Sequence, residues 1–274
     1  MTHLPTSSTP LRSVAVTLLP SMGAVLAGFV VIGAALPVLP LHVSHNLGFG
    51  SVVVGLVAGT QFAGSLVSRV WSGSFADGNG GKRAVLVGLV TAAAAGLLYL
   101  LSVAVAHSPV LSVSILVVGR AVLGGAESFI ITGGVAWGLA LVDAGHSGKV
   151  IAWVGTAMFA ALAFSGPLGT MLFTAYGFAA IGLLTTLLPL LVLGSLMRAP
   201  NPRIQLRQRE SDSRAVFDAV WLPGLGAALA SVGYCSVLAS APFCMPTIIG
   251  DRSGLDYGVW SCADRSAYGL RSFA

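Results

Sequence analysis

Charge is the scarcest property of this sequence. Of 274 residues, 14 are Lys or Arg and 9 are Asp or Glu, so 8% are charged, against about 25% in ordinary globular domains. Lysine is almost missing, with only Lys82 and Lys149. A chain so poor in charge cannot dress a water-facing exterior, which excludes the soluble folds of this size and most soluble enzymes with them. Cysteine is scarce too. Cys235, Cys244 and Cys262 show no paired spacing, which excludes a disulfide frame and a cysteine metal site. Phosphate loop, metal-ligand spacing and nucleophile–base set are all missing, so no cofactor and no metal are expected. The net charge of +5 would point a soluble chain toward nucleic acid. Here five basic residues (Arg198, Arg203, Arg207, Arg209 and Arg214) crowd one short polar stretch without interleaved aromatics, and no nucleic-acid partner is expected.

What is abundant is apolar: 55% hydrophobic residues and a further 35 Gly. No charged residue occurs between Arg12 and Arg69, between Arg83 and Arg120, between Lys149 and Arg198, or between Asp218 and Asp251. A membrane-crossing helix needs roughly 20 apolar residues, and these windows hold about seven such spans. Turn residues cut them into helices expected at about 13–41, 51–72, 84–106, 110–140, 150–174, 177–197 and 219–249. The first run is too long for a signal-peptide core of about 7–15 residues and is read as a retained helix. The Lys and Arg residues of the connections all fall on one side: Arg12, Lys82 with Arg83, Lys149, and the five Arg of 198–214. The segments after the first, third and fifth spans contain neither residue. By the positive-inside rule the basic side, and with it the N-terminus, is cytoplasmic. The expected fold is therefore an all-α, polytopic membrane protein. A leader (1–12) precedes a six-helix bundle (13–197), a basic cytoplasmic loop (198–218) and a seventh helix (219–250).

From 251 to 274 the chemistry changes. Six charges fall in 24 residues, against 17 in the preceding 250, with no helical periodicity. Read one base later, codons allowed for 255–267 can spell an apolar, Gly-rich string. The tail is therefore expected to be a reading-frame artefact, without a stable place in the fold.

After the second span the sequence reads Gly73-Ser-Phe-Ala-Asp77-Gly-Asn-Gly80-Gly-Lys82-Arg83. Glycines permit a tight turn there and a close helix approach, and Asp77 can cap a neighbouring helix or pair with a basic residue. The bland alternative is a solvated turn. The segment resembles the cytoplasmic signature of the major facilitator superfamily, with Gly73, Asp77, Gly80 and Lys82 in register. Gly78 and Gly81 depart from it.

The fourth span carries Arg120 and Glu127, expected to be the two charges at membrane depth. At about 100° per residue they share a face with Gly124, Gly134 and Gly138. Ionisable groups inside a span face a water-filled path or one another. Glu127 could therefore take and release a proton, with Arg120 tuning its proton affinity or holding an anionic substrate. A structural ion pair is the alternative. Arg120-x-x-x-Gly124 is similar to the superfamily's fourth-helix signature, although Leu123 stands at its usual polar position. In the fifth span, Gly155 is followed by Ser165-Gly166-Pro167-Leu168-Gly169. Proline kinks a helix and glycines let another pass close, so an ordinary membrane kink accounts for the segment on its own. It also resembles the superfamily's antiporter signature, one residue short and with Thr170 where a second Gly is usual.

Other positions carry weaker signals. Gly55, Gly59 and Ala63 form a small-residue stripe read as packing. Gln61 can face a substrate path or bond a neighbouring helix. His42 and His45 are expected to meet water at the outer end of the first span. Trp71, Trp137 and Trp153 are read as interface anchors. In helix order and in three signature regions the chain resembles the superfamily over about residues 13–250, and its wording is similar to the bacterial arabinose-efflux-permease-like branch. The resemblance implies a twelve-helix fold of two bundles rocking about a central site. It implies a non-enzyme in the bacterial inner membrane: a proton-coupled secondary transporter, with efflux as the expected direction, whose partners are a small organic solute, protons and the lipid bilayer. The chain as given lacks helices 8–12 of that fold. The competing expectation is a truncated, non-transporting remnant, or a half-length protein that pairs with another chain.

Overall fold

Long apolar windows become helices because a backbone in lipid must satisfy every N–H and C=O within its own segment. The computed structural model describes residues 11–142, 144–198, 221–222, 224–226 and 229. Residues up to Arg198 belong to a unit spanning Met1–Leu206, and the remaining described residues, all helical, belong to a second unit, Arg207–Ala274. The Cys residues, the basic loop, most of the expected seventh span and the 251–274 tail lie outside the described residues.

Among the described residues, six helices are long and apolar enough to cross a membrane. The first begins as α1 (Leu11–Ala35), bends at a two-residue turn, and continues as α2 (Val38–Leu41) and a π-helical turn (His42–Asn46). The next five are α3 (Ser51–Asn79), α4 (Gly81–Ala104), α5 (Pro109–Leu141), α6 (Ser147–Tyr176) and α7 (Phe178–Met197). No strand occurs among the described residues.

Five of the six agree with the sequence reading within a few residues, and the second is corrected. The segment 73–79 was expected as part of a Gly-rich turn. Instead α3 runs through it to Asn79, and α4 starts at Gly81. Only Gly80, at φ +89°, breaks the helix. The backbone ladder simply continues past the apolar part of the span, where polar side chains meet water at no cost to helical hydrogen bonding.

At the core of the bundle α5 packs lengthwise on α4 and α3, while α1 packs on α6 and α4 on α7. Close packing in lipid rests on small residues that let backbones approach. A Cβ on Gly81 would meet Gly133 O at 2.6 Å, and one on Gly133 would meet Val85 N at 2.8 Å. The α4–α5 hairpin is latched by a buried serine pair. Ser102 Oγ donates to Ser112 O (3.0 Å), Ser112 Oγ donates to Ser102 O (2.9 Å), and the hydroxyls stand 2.8 Å apart. α1 is the most enclosed span, and α3 and α6 are the least.

Candidate functional site

Along α3 the buried residues Gln61, Ser65, Ser68 and Ser72 recur at steps of four, three and four, the period of one helix face. That face meets α5. Gly64 lies against the Ala121 backbone, and Gly124 against the backbone of Gln61 and Ser65. With no side chains between them, the helices come close enough for Gln61 Nε2 to donate to Glu127 Oε2 at 2.9 Å. Gln61 is 1% exposed, and its Oε1 is buried with no hydrogen-bond partner. Glu127 is half-buried. Two residues singled out separately in the sequence thus form one site across the α3–α5 contact. About three turns beyond Gln61 along α3, Ser72 Oγ lies 3.0 Å from Oγ of Ser128, the residue after Glu127 on α5, and 3.4 Å from Thr132 Oγ1.

Arg120 is fully buried, but it is not the ion-pair partner of Glu127. Its Nη1 makes a long hydrogen bond to Tyr99 Oη of α4 (3.4 Å), and its Nε and Nη2 have no partner. The guanidinium acts on Glu127 only through space, as does Arg69 of α3. Arg69 is the charge that the sequence reading did not connect with Glu127. It is exposed on α3, near the end of the apolar part of that span. The hydroxyl row was overlooked because serine passes as a small residue in an apolar window, although its 4-3-4 spacing from Gln61 is legible.

The signature segment divides between two helix ends. Gly73 is half-buried and Asp77 is exposed, both within the last turns of α3, while Gly80 supplies the break. Lys82 is buried in the first turn of α4, and Arg83 beside it is exposed. Asp77 neither caps a helix nor pairs with a basic group among the described residues. In α6, Pro167 lies inside the helix. A Cβ on Gly169 would strike the Ala34 backbone, and one on Gly33 would strike Ser165. The Pro167 stretch of α6 thus packs on the end of α1, where the first span is interrupted. A Cβ on Gly155 or Gly166 would meet open space among the described residues.

Three weaker expectations are corrected. His42 does not meet water: it is 4% exposed, stacks on Phe178 of α7 (centroids 4.1 Å, planes 5° apart), and its Nδ1 lies 3.0 Å from Asn46 Nδ2. Trp137 is 1% exposed and belongs to the core, where the adjacent glycines of α4 and α5 make room for it; Trp71 and Trp153 are exposed. Among the described residues the Gly55, Gly59 and Ala63 stripe forms no packing seam: a Cβ on either glycine would meet open space and Ala63 is exposed.

A bundle of six membrane-length helices, with a half-buried carboxylate held by an amide in its interior, defines a multi-pass membrane protein of the solute-carrier kind. Residues 21–268 match the Major Facilitator Superfamily, a match that runs into the polar tail. The chain is 38% identical over 228 residues to an uncharacterised MFS-type transporter of Salmonella typhimurium, covering 83% of this chain and 58% of the relative. It is 35% identical over 231 residues to the uncharacterised MFS-type transporter YhhS of Escherichia coli strain K12 (84% and 55%). Over 136 residues it is 47% identical to an uncharacterised MFS-type transporter of Pseudomonas aeruginosa strain LESB58 (50% and 34%). The chain belongs to the Major Facilitator Superfamily, a family of membrane transporters of small solutes and not of enzymes. It spans little more than half the length of the curated relatives it matches.

Proposed function

We propose that this chain is the first bundle of a secondary active transporter that exports a small organic solute in exchange for protons. The carrying observation is Glu127. A carboxylate inside a span is costly and marks a functional path. This one is held by a neutral amide and not neutralised by a salt bridge, so it can change charge without dismantling an ion pair. Alternating access then couples its protonation to solute release. The Lys/Arg asymmetry supports a bacterial inner-membrane location with the N-terminus in the cytoplasm. Pro167, seated in α6 where that helix packs on the end of α1, supports exchange because proline removes a backbone hydrogen bond and gives the bundle a place to flex. Since the chain spans 58% of the Salmonella relative, the cycle is assigned to the protein with a second bundle, continuous with this one or supplied by another chain.

The test joins this chain to the C-terminal half of the Salmonella relative and assays inverted membrane vesicles acidified by respiration. A panel of small organic solutes is added, and the internal pH is read by a fluorescent amine. An exporter driven by protons dissipates the gradient on addition of its solute. A fused protein that inserts but responds to no member of the panel, or that moves solute along with protons, contradicts the assignment.

A further inference from the structure

The face of α3 that holds Gln61 is polar in one direction only. Toward Asn79 its buried residues are Ser65, Ser68 and Ser72, with Ala76 one turn beyond; toward Ser51 the buried residue is Val57. α5 runs parallel beside it, since Gly64 meets Ala121, Ser65 meets Gly124, and Ser72 meets Ser128 and Thr132. The hydroxyls therefore leave Glu127 toward the basic side of the bundle.

Ser72 has one hydroxyl proton and three oxygens within reach: Arg69 O at 3.1 Å, Ser128 Oγ at 3.0 Å and Thr132 Oγ1 at 3.4 Å. It cannot donate to all three at once. A hydroxyl that can turn between acceptors on two helices is what a proton relay requires; Ser68 donates to Ser65 O of its own helix at 3.2 Å, so the working part of the row is Ser72 with Ser128 and Thr132. A second observation lies at the head of the row, where Gln61 Oε1 is buried without a partner beside the carboxylate. A buried acceptor of this kind fits a water molecule that donates to it.

We propose that the α3–α5 hydroxyl row, with water closing its gaps, is the path by which a proton at Glu127 passes to the side of the membrane where α3 ends at Asn79. In that step the Glu127 O–H bond breaks and its proton joins the nearest water or hydroxyl oxygen. Each oxygen hands its own proton to the next, so one proton reaches the aqueous phase, the carboxylate stays behind and no serine is left charged. The proposal rests on the reading of Glu127 as the proton site.

The experiment uses the full 274-residue chain in lipid nanodiscs. A light-triggered acid jump is followed by time-resolved infrared absorption of the protonated carboxyl, assigned by its loss in Glu127→Gln. The double variant Ser72→Ala with Ser128→Ala is expected to slow the appearance of that band at least tenfold while leaving its titration midpoint in place. Ser72→Thr, which keeps a hydroxyl, is expected to retain the wild-type rate. Two results overturn the row alone: an unchanged rate in the double variant, or a rate and midpoint that move together. A carboxyl band that does not titrate, or that survives Glu127→Gln, overturns the proton-site reading as well.

Discussion

A guanidinium buried among helices needs acceptors, and Arg120 has one, the hydroxyl of Tyr99. Tyr99→Phe keeps the ring and removes that acceptor. Leaving a buried charged donor without its partner costs on the order of 1–3 kcal/mol, and the length of this bond places the effect near the low end. A lowered unfolding midpoint in detergent is the expected reading; an unchanged midpoint would mean that Arg120 is satisfied elsewhere. At this scale the sequence was informative about identity and less so about partners. The 66-residue separation of Gln61 and Glu127 hides their contact from any local pattern, so the two stood as separate candidates. For Arg120 and Glu127, seven residues apart on one helix, the spacing invited an ion pair. The tertiary structure turns Arg120 toward α4 instead.

Among elements, the α3–α5 contact carries the site, and it depends on two glycines that leave the backbones room to approach. A side chain at Gly124 would run into the Gln61 carbonyl and Ser65 N, which are backbone atoms and cannot yield. Gly124→Leu is expected to cost about 1–3 kcal/mol or more by overpacking and to separate Gln61 from Glu127. Gly55→Leu, whose new side chain meets open space, is expected to stay within about 0.5 kcal/mol of wild type. Thermal melting of the two purified variants checks the contrast, and equal melting temperatures would contradict this packing. The positions of the helices were legible because hydropathy and charge-free windows follow from the bilayer itself. Which stripe of each helix packs was not legible: Gly55, Gly59 and Ala63 have the same small-residue spacing as a packing seam, yet the buried stripe is the Gln61 to Ser72 one. The misjudged end of the second span has a similar cause, because Asp77 and Asn79 look like a turn and are only the water-facing end of a helix.

The whole molecule belongs to a family of solute transporters, and its proposed orientation is argued from charge. With Lys82, Arg83 and Lys149 on one side of the bundle and no Lys or Arg in the opposite connections, a reporter inserted near Asn46 is expected outside the cell. One fused after Gln205 is expected in the cytoplasm; both on the same side would contradict the span count. The central claim is that Glu127 couples solute movement to protons, and the most direct measurement is made on Glu127→Gln in the two-bundle fusion. The amide preserves size and hydrogen bonding but cannot titrate. Proton-driven solute movement should be lost, while membrane insertion and solute-for-solute exchange across the same vesicles are retained. Wild-type pH dependence in the variant would show that Glu127 only holds α5 against α3.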